Sequence, residues 1–113
     1  MRGALATLLV CLAAGGAAAQ SLPETDYTLQ CRGCHGPGGA GVPGQVPPLS
    51  GVAELLETPA GRARLLAVPG VRQSSLSDER LARLLEWVAL RFSPAEGTPH
   101  FPPLSAGEVA ELR

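Results

Sequence analysis

Cys31-Arg32-Gly33-Cys34-His35 constrains this chain more than any other five residues in it. Thiols three positions apart lie on neighbouring faces of one helical turn, and an imidazole follows at once. Several chemistries use paired thiols. A disulfide across two intervening residues closes too small a loop to stabilise a chain of this length by much. A structural zinc site needs four ligands, and beyond position 19 the thiol and imidazole donors are Cys31, Cys34, His35 and His100. The adjacency of Cys34 and His35 strains a tetrahedron built from them. A thioredoxin-like dithiol belongs in a βαβ setting, and no strand pattern is visible around this one.

The spacing instead suits the two vinyl groups of a single haem, with the imidazole placed for the iron beneath the ring. Cys-x-x-Cys-His therefore reads as covalent attachment of c-type haem, with Cys31 and Cys34 as the thioethers and His35 as an iron ligand. The N-terminus agrees. Met1-Arg2 is a short positive start, Ala4 to Ala14 is an apolar run too short for a permanent span, and Ala17-Ala18-Ala19 offers a small-residue cleavage site before Gln20. Residues 1–19 are thus expected to be a signal peptide, and export is where c-type haem is usually attached. Cys11 follows Val10 inside the apolar run rather than a small residue at its end, so it reads as part of the leader and not as a lipidation site.

Removing residues 1–19 leaves 94 residues, enough for one small domain over 20–113. All nine basic residues are Arg; taking Arg2 away with the leader leaves eight against ten acidic residues, or −2 with His neutral. No basic stripe exists, so nucleic acid and anionic membrane surfaces are excluded as natural partners, and no integral membrane segment is expected after processing. The arginines read as a solvated surface, with one or two available to haem propionates. The aromatic residues are Trp87, Tyr27, Phe92 and Phe101, a thin supply for the core of so small a domain. A buried porphyrin would fill that deficit.

Periodicity divides the chain into helices and loops. Thr25 or Asp26 is placed to cap a short helix running through Cys34 and ending at Gly36-Pro37-Gly38-Gly39. The density of Gly and Pro from Gly36 to Gly51 forbids regular structure, and a loop this long suits wrapping the edge of a ligand. Val52 to Ala67 reads as two short helices broken at Thr58-Pro59-Ala60-Gly61. Ser77 to Phe92 is the clearest helix: Leu81, Leu84, Leu85, Val88 and Phe92 share a face at the 3.6-residue period. Ser77 caps it, Asp78 and Glu79 suit its positive end, and Leu76 with Leu81 occupies the staple positions. Ser105 is placed to cap a final turn or two through Leu112. The expected class is all-α, three to five short helices around one haem.

With these pieces assembled, the chain resembles a small class I cytochrome c. The likeness rests on Cys31-Arg32-Gly33-Cys34-His35-Gly36, on Pro47-Pro48-Leu49-Ser50-Gly51, and on the helix after Leu76-Ser77-Asp78-Glu79, a core of about residues 24–92 with a C-terminal extension over 93–113. The resemblance implies thioethers at Cys31 and Cys34, and His35 as proximal axial ligand through Nε2. It also implies that the Pro47 carbonyl accepts the other imidazole proton, and that the first and last core helices cross so as to bring Tyr27 toward Trp87. Fixing the imidazole through a carbonyl makes it a better electron donor.

One departure matters for function. The family usually supplies a methionine as distal ligand shortly before the terminal helix, and the sole methionine here is Met1. The corresponding stretch is Val68-Pro69-Gly70-Val71, with Val68 where the thioether would stand. The sixth position then falls to His100, or to water or no ligand beneath Val68, with Arg72 or Gln73 near an open face. Either arrangement lowers the reduction potential relative to His/Met ligation, since axial ligands move haem potentials over roughly 0.8 V.

The expected function is that of an exported, periplasmic mono-haem carrier and not an enzyme, passing single electrons between a redox protein donor and acceptor. A periplasmic dehydrogenase is a plausible donor by resemblance. A five-coordinate haem protein that binds a small gas or reacts with peroxide is the alternative raised by the missing methionine.

Overall fold

A computed structural model describes residues 21–94 and 96–113; the leader expected over residues 1–19 lies outside them. In chain order the elements are α1 (Leu22–Gln30), α2 (Arg32–His35), a 3-10 turn (Leu49–Gly51), α3 (Val52–Leu56), α4 (Pro59–Ala67), α5 (Pro69–Arg72), α6 (Asp78–Phe92) and α7 (Ala106–Leu112). Among the described residues there is no strand, and the one β-bridge joins Val42 to Val46. The all-α class holds, with more and shorter helices than the three to five expected.

The extra elements have local causes. The first helix starts earlier than expected because Ser21 caps it, its Oγ accepting from the Glu24 amide at 3.4 Å, and Pro23 sits in the first turn where its missing N–H costs nothing. Neither Thr25 nor Asp26 is the cap. Asp26 is instead 2 % exposed and ion-paired to Arg80 of α6, which pins α1 across the longest helix. At Cys31 the backbone leaves helical values (φ −123°), so the expected single helix is two, and α2 ends at Gly36 with φ +77°. Pro69 opens α5, a single turn absent from the periodic pattern because it has only four residues.

The expected break near Thr58 is a helix start. Thr58 Oγ1 accepts from the Gly61 amide at 3.0 Å, and Pro59 begins α4. α4 then lies against α3 so closely that a Cβ on Gly61 would run into the Leu55 carbonyl. α6 carries the core: Leu81, Leu84, Leu85 and Val88 are buried, each contributing up to about 1.5–3 kcal/mol by removal from water. Ser77 caps it as expected, accepting from the Arg80 amide, and Leu76 is buried as the staple requires.

The C-terminal segment is part of this core. Leu104 and Val109 are buried, α7 packs on α4 and α6, and Ser105 caps α7. Arg62 corrects the reading of the arginines as a solvated surface. It is 6 % exposed, and its guanidinium donates to the carbonyls of Leu56, Pro102 and Pro103 and pairs with Glu108. Arg113 performs a similar service at the other end of the segment, bonding the Ser74 and Leu76 carbonyls and pairing with Asp78.

Candidate functional site

α2 packs on α1, and α5 packs on α4. These pairs and α6 enclose a cleft lined by Cys31, Cys34 and His35 from the first, by Leu65, Val68, Gly70 and Val71 from the second, and by Leu81, Leu84, Leu85 and Val88 from α6. Leu49 and Val52 complete it at the end of the glycine-rich loop. The same leucine stripe that forms the core therefore forms a wall of the cleft. The cavity itself holds about 150 Å³, below the ~300–1,000 Å³ of typical ligand clefts, and it is open on one side.

His35 sits on the last residue of α2, and its orientation is fixed from outside that helix. Its Nδ1 lies 3.0 Å from the carbonyl oxygen of Pro47, twelve residues on, so with the proton on Nδ1 the bond is donated and Nε2 is the nitrogen left for a ligand. The loop that delivers Pro47 is folded back by paired backbone bonds between Val42 and Val46, by the Gly41 amide to the His35 carbonyl at 2.9 Å, and by the Leu49 amide to the Gly39 carbonyl. Gly41 has φ +66°, and a Cβ there would meet the Val46 carbonyl and come within 2.8 Å of the Pro47 oxygen. Glycine at 41 is what lets the carbonyl reach the ring.

Tyr27 ties the other end of the cysteine turn. Its hydroxyl donates to the Gly36 carbonyl at 2.5 Å, while its ring lies 5.5 Å from Trp87 and 5.1 Å from Phe92. The crossing of α1 and α6 thus places Tyr27 beside Trp87. Burial raises the Tyr27 pKa above its ordinary 10.0, reinforced by Cys31 and opposed by Arg32 and Arg91. Burial also raises the Cys31 thiol, with Asp26 and Cys34 acting in the same direction. Cys34 is exposed, Cys31 partly buried, and neither is in a disulfide.

This donor set fits a covalently held haem: two thiols and one oriented imidazole on a single turn, facing a cleft that is apolar apart from Gln30 and Ser74. The remaining sequence candidates fall elsewhere. Val68 does line the cleft and is 43 % exposed. His100 is exposed in the segment between α6 and α7 and does not line the cleft, and neither do Arg72 and Gln73, both exposed. Sequence reasoning missed Leu65, Ser74 and Gln30, which line it as well. It also missed the Tyr27–Gly36 bond, whose one signal was a tyrosine, rather than phenylalanine, four residues before the cysteines.

No family model matches the chain. Two curated relatives do. It is 35 % identical over 126 aligned positions to a cytochrome c-552 of Thermus thermophilus, covering 95 % of this chain and 85 % of the relative. It is 37 % identical over 103 positions to another Thermus thermophilus cytochrome c-552, covering 74 % of this chain and 79 % of that one. That likeness spans nearly the whole chain and coincides with a helical fold built around an oriented Cys-x-x-Cys-His turn, and on both grounds the chain belongs to the c-type cytochromes, the small all-α proteins that carry a covalently bound haem.

Proposed function

We propose that this chain is an exported carrier of single electrons, holding its haem through Cys31 and Cys34 and ligating the iron through His35 Nε2. The observation that carries the reading is the His35–Pro47 bond at 3.0 Å beside two thiols at the mouth of an apolar cleft. The haem, when bound, supplies the interconversion of ferrous and ferric iron. The chain's own residues do the rest. Cys31 and Cys34 fix the macrocycle against loss, and Pro47 sets the imidazole plane. Leu81, Leu84, Leu85 and Val88 give the cleft an apolar wall, which would hold a change of iron charge in a lower dielectric than water. Cys34 and Val68 line the cleft and are themselves exposed, so one edge of its contents faces solvent, where a partner's redox centre can approach.

The leader over residues 1–19 and the periplasmic setting belong to this reading, as does the single domain over 20–113. Its support is that c-type haem is usually attached after export; no helix among the described residues is long and apolar enough to cross a membrane. Donor and acceptor are taken to be larger redox proteins, with a periplasmic dehydrogenase as the donor class.

An optical redox titration of the purified holoprotein tests the proposal. A single reversible one-electron transition that is abolished in Cys31→Ala/Cys34→Ala supports it. A chain that holds no redox-active chromophore when made with functional export and maturation overturns it.

A further inference from the structure

The cleft presents one imidazole and no second strong iron ligand. Among the described residues there is no methionine, and the other histidine, His100, is exposed outside the cleft. What the α4–α5 wall offers instead is Leu65, Val68, Gly70 and Val71. Ser74, whose Oγ accepts from the Leu76 amide at 3.3 Å, keeps its own O–H, and Gln30 of α1 is the cleft's other uncharged polar side chain. That wall is held at both ends by the C-terminal segment: Arg62 anchors α4 to Pro102, Pro103 and Glu108, and Arg113 grips the Ser74 and Leu76 carbonyls. Clamped in this way, the wall would keep Leu65, Val68 and Val71, none of them an iron ligand, at the cleft when haem is bound.

We propose that the α4–α5 wall makes the sixth coordination position a site for a small neutral ligand of the carbon monoxide or nitric oxide type. The inference rests on the assignment of Cys31, Cys34 and His35 as haem-holding residues, and not on the carrier role. The chemical class follows from what the wall lacks. A buried anion needs more hydrogen-bond donors than the single Ser74 O–H of this wall supplies, whereas a neutral π-acceptor needs none. Distal polarity and donors decide which ligands a haem takes, and Leu65, Val68 and Val71 donate nothing. Peroxide activation needs a positioned acid and base, and this wall carries neither. Gly70 leaves space, since a Cβ there would meet no atom within 4 Å.

The test uses the purified holoprotein, first shown to carry covalent haem. Its ferrous spectrum is recorded with carbon monoxide and, separately, with nitric oxide, and its ferric form is titrated with azide. The same is done with Val68→Gln, which adds a donor to the wall. The expected result is a saturable spectral change with both gases. Val68→Gln should tighten azide by about tenfold or more, the size of one hydrogen bond to a charged group, and alter carbon monoxide far less. A haem-loaded ferrous protein whose spectrum neither gas moves overturns the inference and leaves the haem assignment standing. A haem-loaded Val68→Gln with unchanged azide affinity also overturns it, because residue 68 would not then border the ligand. Should Val68→Gln fail to accumulate, Val71→Gln places the donor on the same wall, and the wild-type gas result decides by itself. Absence of covalent haem defeats this inference and the haem assignment together, a result distinct from all of these.

Discussion

The Tyr27 hydroxyl donates to the carbonyl of Gly36, nine residues on and 2.5 Å away, and so closes the cysteine turn against α1. Tyr27→Phe keeps the buried ring and its contacts with Trp87 and Phe92 but deletes that donor. The expected loss is about 1 kcal/mol of unfolding free energy for a neutral hydrogen bond, read from denaturant midpoints of the holoprotein.

The same residue makes a pH prediction whose sign is fixed. Burial holds the Tyr27 phenol protonated, so its folded pKa lies above its ordinary 10.0. The native state then binds that proton more tightly than the unfolded chain does. The associated stability is complete below pH 10.0 and is lost as pH rises through the folded value. The stability difference between wild type and Tyr27→Phe should therefore shrink at alkaline pH; a difference that widens above pH 10.0 would contradict the assignment.

Gly41→Ala is expected to disturb the iron environment from a distance. Its φ of +66° and its closeness to the Val46 and Pro47 carbonyls leave no room for a methyl group. The strain costs about 1–3 kcal/mol and moves the carbonyl that orients His35. Besides a lower thermal midpoint, the variant should show an altered ferric spectrum and a shifted reduction potential. A variant that loses stability with both unchanged would separate the loop from the ligand.

Arg62 joins α4 to α3 and the C-terminal segment through four partners, the Leu56, Pro102 and Pro103 carbonyls and Glu108. Arg62→Met removes the donor for the Leu56, Pro102 and Pro103 carbonyls and leaves Glu108, 30 % exposed, unpaired. Because Glu108 retains some access to water, the cost should fall at the lower end for a broken buried pair, about 2–3 kcal/mol. Limited proteolysis should then cut within residues 93–113 before the rest of the chain.

His100→Ala should change nothing at the iron. His100 is exposed and away from the cleft, so ferrous and ferric spectra and the reduction potential should match wild type. A change of spin state in this variant would place the histidine on the iron and remove the open sixth position.

What could be read from the sequence was what neighbours in the chain decide. The turn from Cys31 to His35, the cap at Ser77, the stripe from Leu81 to Val88 and the cap at Ser105 each depend on residues a few positions apart, and each stands where the pattern put it. The Pro47 carbonyl was legible by resemblance, because a proline shortly after a glycine-rich loop had a stated role. The cap offered by Thr25 or Asp26 is instead Ser21, and nothing local reveals that Asp26 pairs with Arg80, 54 residues away. Arg62 was missed for the same reason: its tail partners lie 40 to 46 residues further on, and local sequence holds no trace of them. α5 escaped because four residues opened by Pro69 and Gly70 show no period at all.

The account turns on two sulfur–carbon bonds, at Cys31 and Cys34, and intact mass of the exported protein after denaturation and treatment with a thiol-alkylating reagent tests them directly. The expected result is a chain heavier by one haem, with neither cysteine alkylated. A chain of bare polypeptide mass that takes up two alkyl groups, from cells whose maturation machinery loads other c-type cytochromes, would contradict it.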